Sequence, residues 1–162
     1  MLEYFAYGSN LFVPRLAARV PSARFAGVAR LAEHRVVFHK RGADGSGKAT
    51  LAEAPGCAVW GAVYVCEAGR IGGLRRAEGW PVQYRETEVE VAMEGTRRRV
   101  MTYTASKEWT DPGLRPFDWY LDLVLAGARA SGLPPAYIAG LAAVPAVADP
   151  DEARARANRA IP

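Results

Sequence analysis

The acid best suited to chemistry in this chain is Glu78, in the stretch "LRRAEGWP". The residues before it read as a weak helix, and Gly79, Trp80 and Pro81 end that helix. A carboxyl group at a helix C-terminus faces the unfavourable end of the helix dipole, and Trp80 offers an apolar wall beside it. Both effects favour the neutral acid, which is the setting of a group that takes and returns protons near neutral pH. The plainer reading pairs a solvated Glu78 with Arg75 or Arg76. A second stretch, "YFAYGSNLF" at 4–12, breaks an apolar strand with Gly8, Ser9 and Asn10. Gly8 admits backbone angles closed to other residues. Ser9 and Asn10 bond readily to nearby backbone, and Pro14 marks a helix start just beyond. Such a turn aims several N–H groups at one place and attracts an anion.

Other chemistries lack parts. "GADGSGKAT" at 42–50 nearly spells a phosphate-binding loop, with Gly42, Gly47 and Lys48 at the required spacing. Position 49 is Ala, so the magnesium-binding hydroxyl is missing, and Pro55-Gly56 cuts off the helix that should follow. The segment therefore reads as a flexible, exposed connection between strands. His34 and His39, five residues apart in one strand, fall on opposite faces, and with no other histidine a zinc site is not expected. Cys57 and Cys66 lack metal-ligand spacing and read as buried small hydrophobes. Ser9 has no nearby base to make it a nucleophile.

The elements that must position these residues come in two runs. Strands are expected over 2–7, 25–39, 49–54, 57–66, 83–93 and 97–105, the last two joined by a hairpin turn at Glu94-Gly95. Helices are expected over 14–20, 67–78, 116–131 and 135–143, with a further one in the tail "DPDEARARANRA". Phe117, Tyr120, Leu121, Val124 and Leu125 form the apolar stripe of the clearest helix. With 162 residues, half of them hydrophobic, one domain over 1–162 is the natural expectation. No apolar run reaches membrane-spanning length, and the N-terminus lacks signal-peptide character, so the cytoplasm is the default compartment. The net charge of +4 comes partly from Arg97, Arg98, Arg99, Arg75 and Arg76. No stripe interleaves aromatic with basic residues, so a nucleic-acid partner is not expected.

In these same stretches the chain resembles the γ-glutamylcyclotransferase family. "YFAYGSNL" at 4–11 is similar to the family's opening signature, and "PSARFAGVARL" at 21–31 to its next strand. "VWGAVYVC" at 59–66, "EGWPVQYRETEVEV" at 78–91 and "ASGLPPAYIAGL" at 130–141 continue the resemblance in order. It implies an α+β fold, a small mixed β-barrel flanked by helices. It also implies an intramolecular aminolysis, in which the free α-amine of a γ-glutamyl compound attacks its own side-chain carbonyl. 5-Oxoproline forms and the attached amine leaves, with no metal or cofactor. By the same resemblance Glu78 is the catalytic acid/base, and Tyr7, Gly8, Ser9 and Asn10 cradle the substrate, with the amides from Gly8 to Leu11 holding its carboxylate or the developing oxyanion. Tyr84 and Tyr103 line the pocket. The segment between Glu78 and Tyr84 is shorter than in the family pattern, which bears on the pocket rim. Three functions compete: the cyclotransferase acting on a small γ-glutamyl substrate that the resemblance implies, a non-catalytic binding or interaction protein on the same scaffold, and a nucleotide binder using 42–48. The last requires stabilisation by ATP and magnesium, which is not expected. Oligomeric state has no signature here.

Overall fold

Glu94 and Gly95 both have positive φ, 49° and 76°. They form the two-residue turn expected between β4 (Tyr84–Met93) and β5 (Thr96–Ala105), and this backbone twist matches that of the strands it joins. The computed structural model describes residues 1–161 of the chain. With β1 (Leu2–Ala6), β2 (Arg24–Arg41) and β3 (Gly47–Cys66), these strands close a barrel in the order β1-β3-β2-β4-β5. β1 runs antiparallel to β3 and meets β5 in parallel at Tyr4 and Met101, so the barrel is mixed. Closure removes exposed strand edges. Its interior is filled by Phe5, Val59, Val63, Val91 and Val100, each no more than 2% exposed. The expected α+β architecture is therefore present.

The strands expected at 49–54 and 57–66 are one strand, β3. Its register against β2 jumps from Ala32↔Ala58 to His34↔Glu53, so 54–57 is an excursion opposite Glu33. Glu33 has φ 58°, and its carboxylate accepts the Gly56 N–H at 2.9 Å. Pro55 lacks the N–H a regular ladder needs, which is why the strand bulges there instead of ending. The excursion also exposes Cys57, against expectation, while Cys66 is buried.

Among the described residues five α-helices flank the barrel: α1 (Val13–Arg19), α2 (Gly72–Ala77), α3 (Asp118–Ala130), α4 (Pro135–Ala142) and α5 (Glu152–Arg159). The helix expected over 67–78 is split into a 3₁₀ turn at Ala68–Arg70 and α2. The glycines that weaken a helix intrinsically serve contact here. A Cβ on Gly73 would lie 2.3 Å from the Arg19 carbonyl oxygen, and one on Gly127 would lie 2.3 Å from the Leu11 carbonyl carbon. α2 thus sits directly on the end of α1, and α3 directly on the turn after β1. α3 buries Trp119 and Leu123 as well as its expected stripe, so it is enclosed on most of its circumference. Asp149, with no exposed side-chain surface, accepts from Trp119 Nε1 at 2.8 Å and from Arg154 Nε at 2.8 Å, tying α5 to α3. No helix among the described residues is long and apolar enough to cross a membrane.

Candidate active site

α2 ends in a Schellman motif, with the Gly79 N–H donating to Arg76 O at 3.1 Å and the Trp80 N–H to Arg75 O at 2.9 Å. That pattern needs a left-handed residue just past the cap, and Gly79 supplies it with φ 60°. The motif leaves Glu78 at the helix end with its side chain turned inward, 13% exposed. Across the cavity, β1 ends and a 3₁₀ turn over Ser9–Leu11 begins, with Gly8 as its cap. Asn10 links the two segments. Its Nδ2 donates to Glu78 Oε1 at 3.0 Å and to Tyr4 Oη at 2.9 Å. Arg19 Nη1 donates to Asn10 Oδ1 at 2.6 Å and to Glu78 Oε1 at 3.3 Å. One Glu78 oxygen is therefore held by two donors, while Oε2 has no hydrogen-bond partner among the described residues.

The neighbours of Glu78 differ from those expected. Trp80 is 40% exposed and its ring lies under the Arg75 guanidinium, 4.5 Å away, so it forms no apolar wall. Arg75 in turn pairs with Glu86 at 2.7 Å. The cation beside Glu78 is Arg19, neither Arg75 nor Arg76.

A cavity of about 440 Å³ joins these groups, lined by Tyr7, Gly8, Ser9, Asn10, Glu78, Tyr84 and Tyr103 among others. The expected site residues are thus brought together, except Leu11. Its side chain is fully buried beneath α3, and its N–H is occupied by Gly8 O at 3.0 Å. The N–H groups of Gly8, Ser9 and Asn10 have no acceptor among the described residues, so the bare donors begin at Gly8 and end at Asn10. Tyr7 donates to Tyr103 O at 2.5 Å, Tyr84 to Ala49 O at 2.6 Å, and Tyr103 to Glu86 Oε1 at 3.0 Å. Burial pushes the hydroxyls of Tyr4, Tyr7, Tyr84 and Tyr120 well above or above the usual phenol range. For Tyr103, burial and then the bond to Glu86 do the same. These tyrosines stay neutral and act as walls and fixed dipoles.

The loop read as a flexible, exposed connection is exposed only at Ala43 and Gly45, while Gly42, Ser46 and Gly47 are buried and its side chains are hydrogen-bonded to one another. Asp44 Oδ1 accepts from Ser46 N at 2.9 Å and from its hydroxyl at 2.7 Å, and Lys48 Nζ meets Asp44 Oδ2 at 2.8 Å. The backbone continues as β3 instead of a helix, so no phosphate-binding loop exists. Asp44 and Lys48 instead line the cavity. Lys48 lies over the rings of Tyr120 at 4.6 Å and Trp119 at 4.7 Å, a cation–π arrangement. No group of three or more potential metal ligands is assembled among the described residues.

An AIG2-like family model matches residues 58–141. The chain is 34% identical to human γ-glutamylcyclotransferase over 148 residues, covering 87% of this chain and 77% of that one. It is 35% identical to the bovine enzyme of the same name over 141 residues, covering 83% and 73%. This chain belongs to the γ-glutamylcyclotransferase family. A solved γ-glutamyl cyclotransferase superposes on this family member with a TM-score of 0.83 at 29% identity, covering 96% of this chain and 98% of that one. The Bacillus subtilis protein YkqA superposes with a TM-score of 0.75 at 21% identity and shares the fold. Sequence reasoning missed several residues that line this cyclotransferase cavity: Tyr4, Arg15, Arg19, Lys40 and Tyr120. Arg15 and Arg19 carried a usable signal, since residues four apart share one helix face.

Proposed function

We propose that this protein converts a γ-glutamyl amino acid or amine into 5-oxoproline and the free amine, with Glu78 as the proton carrier. The reading is carried by one observation: Glu78, with one oxygen anchored and the other free, shares a cavity with the bare amides of the Gly8–Asn10 turn. The family membership supports the same reaction class.

The chemistry follows from those parts. The substrate's α-ammonium gives a proton to Glu78 Oε2, and the freed amine attacks the δ-carbonyl carbon. A carbon–nitrogen bond forms, closing the five-membered ring, and the carbonyl oxygen takes up negative charge. As the ring carbonyl re-forms, the bond to the leaving nitrogen breaks and that nitrogen receives the proton held by Glu78. The ring nitrogen gives up its surplus proton to the freed Glu78 carboxylate, which passes it to the departing amine, so the amine leaves as an ammonium. Proton transfer of this kind contributes roughly 10²–10⁴-fold. Holding the glutamyl arm curled contributes orientation, worth up to about 7–11 kcal/mol in well-aligned intramolecular systems. The Gly8–Asn10 amides and Arg19 supply donors for the substrate carboxylate and the oxyanion.

Incubation with a panel of γ-glutamyl amino acids and amines, with chromatography of both products, tests the reaction. 5-Oxoproline and free amine are expected in equal amounts. Release of glutamate in place of 5-oxoproline would mean hydrolysis by external water. No turnover by protein with Glu78 intact would leave a small-acid binding protein on the same scaffold.

A further inference from the structure

Beyond Glu78 the cavity is markedly basic. Arg15, Arg19, Lys40, Lys48, Arg76 and Arg154 line it, against the carboxylates of Glu78 and Asp44. Three of the cations have acid partners: Arg19 with Glu78, Lys48 with Asp44, and Arg154 with Asp149. Arg15, Lys40 and Arg76 have none among the described residues. Arg76 is exposed, and solvent satisfies it. Lys40 is only 5% exposed. Its ammonium donates to Gln83 Oε1 at 2.6 Å and lies 5.0 Å from the Tyr84 ring centre. Arg15 is the least satisfied of the three. Its Nε is buried and has no hydrogen-bond partner. A buried charged donor left unmet carries a desolvation penalty, and a guanidinium is shaped to bind a carboxylate through two parallel bonds.

The position of Arg15 says which carboxylate it suits. Arg19 marks the reacting end, because it contacts Glu78. Arg15 lies four residues earlier on the same face of α1, about one turn or ~5.4 Å along the helix, and lines the same cavity. Glu78 and Asp44 both act electrostatically on its guanidinium, though burial and the neighbouring Arg19 outweigh them. With the Gly8–Asn10 amides and Arg19 assigned to the glutamyl end, whose one carboxylate they hold, Arg15 and the buried ammonium of Lys40 are left as two cations without acid partners among the described residues, and an acidic leaving amino acid carries two carboxylates. Asp44 is already engaged by Lys48 and Ser46, so it offers little to a cationic leaving group.

We propose that the chamber around Arg15 is a leaving-group subsite for an acidic amine, so that γ-glutamyl compounds of acidic amino acids are its preferred substrate class. This rests on the cyclotransferase reading and narrows it. Arg15 binds the side-chain carboxylate of the departing residue, and the buried ammonium of Lys40 adds to the positive field. Neutral leaving groups fill the space without meeting Arg15, and polyamine leaving groups are repelled.

The test compares kcat/KM for γ-glutamyl-glutamate, γ-glutamyl-alanine, γ-glutamyl-methylamine and γ-glutamyl-putrescine in the wild type, Arg15→Met and Arg15→Lys. The wild type is expected to rank them in that order. Arg15→Met is expected to lower kcat/KM for γ-glutamyl-glutamate about 10- to 100-fold beyond its effect on γ-glutamyl-methylamine. Arg15→Lys recovers part of that gap. An equal loss on all four substrates, or a wild type that favours putrescine, overturns the proposal. Calorimetric binding to the Glu78→Gln protein separates this subsite from the reaction. Tighter binding of γ-glutamyl-glutamate than of γ-glutamyl-alanine, abolished by adding Arg15→Met, supports the subsite even if the wild type turns nothing over. Equal binding of the two sinks it even if 5-oxoproline is formed.

Discussion

Replacing Glu78 by glutamine removes the proposed proton acceptor while keeping almost every contact. The amide oxygen of glutamine takes the place of Oε1, which accepts from Asn10 at 3.0 Å and Arg19 at 3.3 Å. The amide NH₂ replaces Oε2, which has no partner to lose. What disappears is the charge. The two bonds fall from the charge-assisted class towards the neutral one, a stability loss of about 1 kcal/mol, or roughly 2–4 °C in Tm for a chain of this size. The chemical step loses its general acid–base catalyst, so kcat is expected to fall about 10²–10⁴-fold, equivalent to about 2.7–5.4 kcal/mol of transition-state stabilisation. The assay is 5-oxoproline release from γ-glutamyl-alanine, with circular dichroism and thermal melting on the same protein. A variant that keeps more than a tenth of wild-type kcat refutes the proton-carrier role. A variant whose Tm drops by tens of degrees refutes the claim that the anchored oxygen is the only structural contact.

Three more outcomes are expected. Asn10→Asp turns the donor facing Glu78 into a second carboxylate; like charges this close raise one another's proton affinity, so the acidic limb of the kcat/KM profile should move to higher pH, which Asn10→Ser should not reproduce. Gly73→Ala places a Cβ against the Arg19 carbonyl and pushes α2 off α1; overpacking of this kind costs about 1–3 kcal/mol, and urea unfolding should show it together with reduced turnover, because the same shift moves Glu78 away from Asn10. Asp149 is held below the usual carboxylate range chiefly by the Arg154 hydrogen bonds, against the opposing effect of burial, with Trp119 assisting. A depressed folded value stabilises the fold above the unfolded pKa of about 3.9 and loses that contribution as pH falls. The difference in Tm between wild type and Asp149→Asn should therefore be constant above about pH 5 and shrink below about pH 4.

Much was legible locally. The β-rich first half, the Glu94-Gly95 hairpin, Pro14 at the start of α1 and Gly132 at the end of α3 follow from turn and cap chemistry that acts over a few residues. Alternation predicted strands but not their bulges. At Pro55-Gly56 a break in the pattern looked like a strand end, because sequence does not say that Glu33 is there to accept the Gly56 N–H. The near-match at 42–48 shows the same limit: spacing alone resembles a phosphate loop, and only the backbone that follows, a strand, decides the matter.

The sequence by itself determined the candidate parts of the site: a glycine-led turn with amides at 8–11 and a carboxylate delivered by a helix cap at 78. Tertiary structure decided their environment. Glu78 meets Asn10 across 68 residues, and its neighbouring cation is Arg19, because Gly73 lets two helices touch where any side chain would hold them apart. Leu11 turns into the core for a similar reason, since Gly127 brings α3 down onto it. The basic chamber gathers side chains from α1, α2, the ends of the β2–β3 hairpin and α5. Such a charge surplus is a property of packing, which no local window of sequence contains.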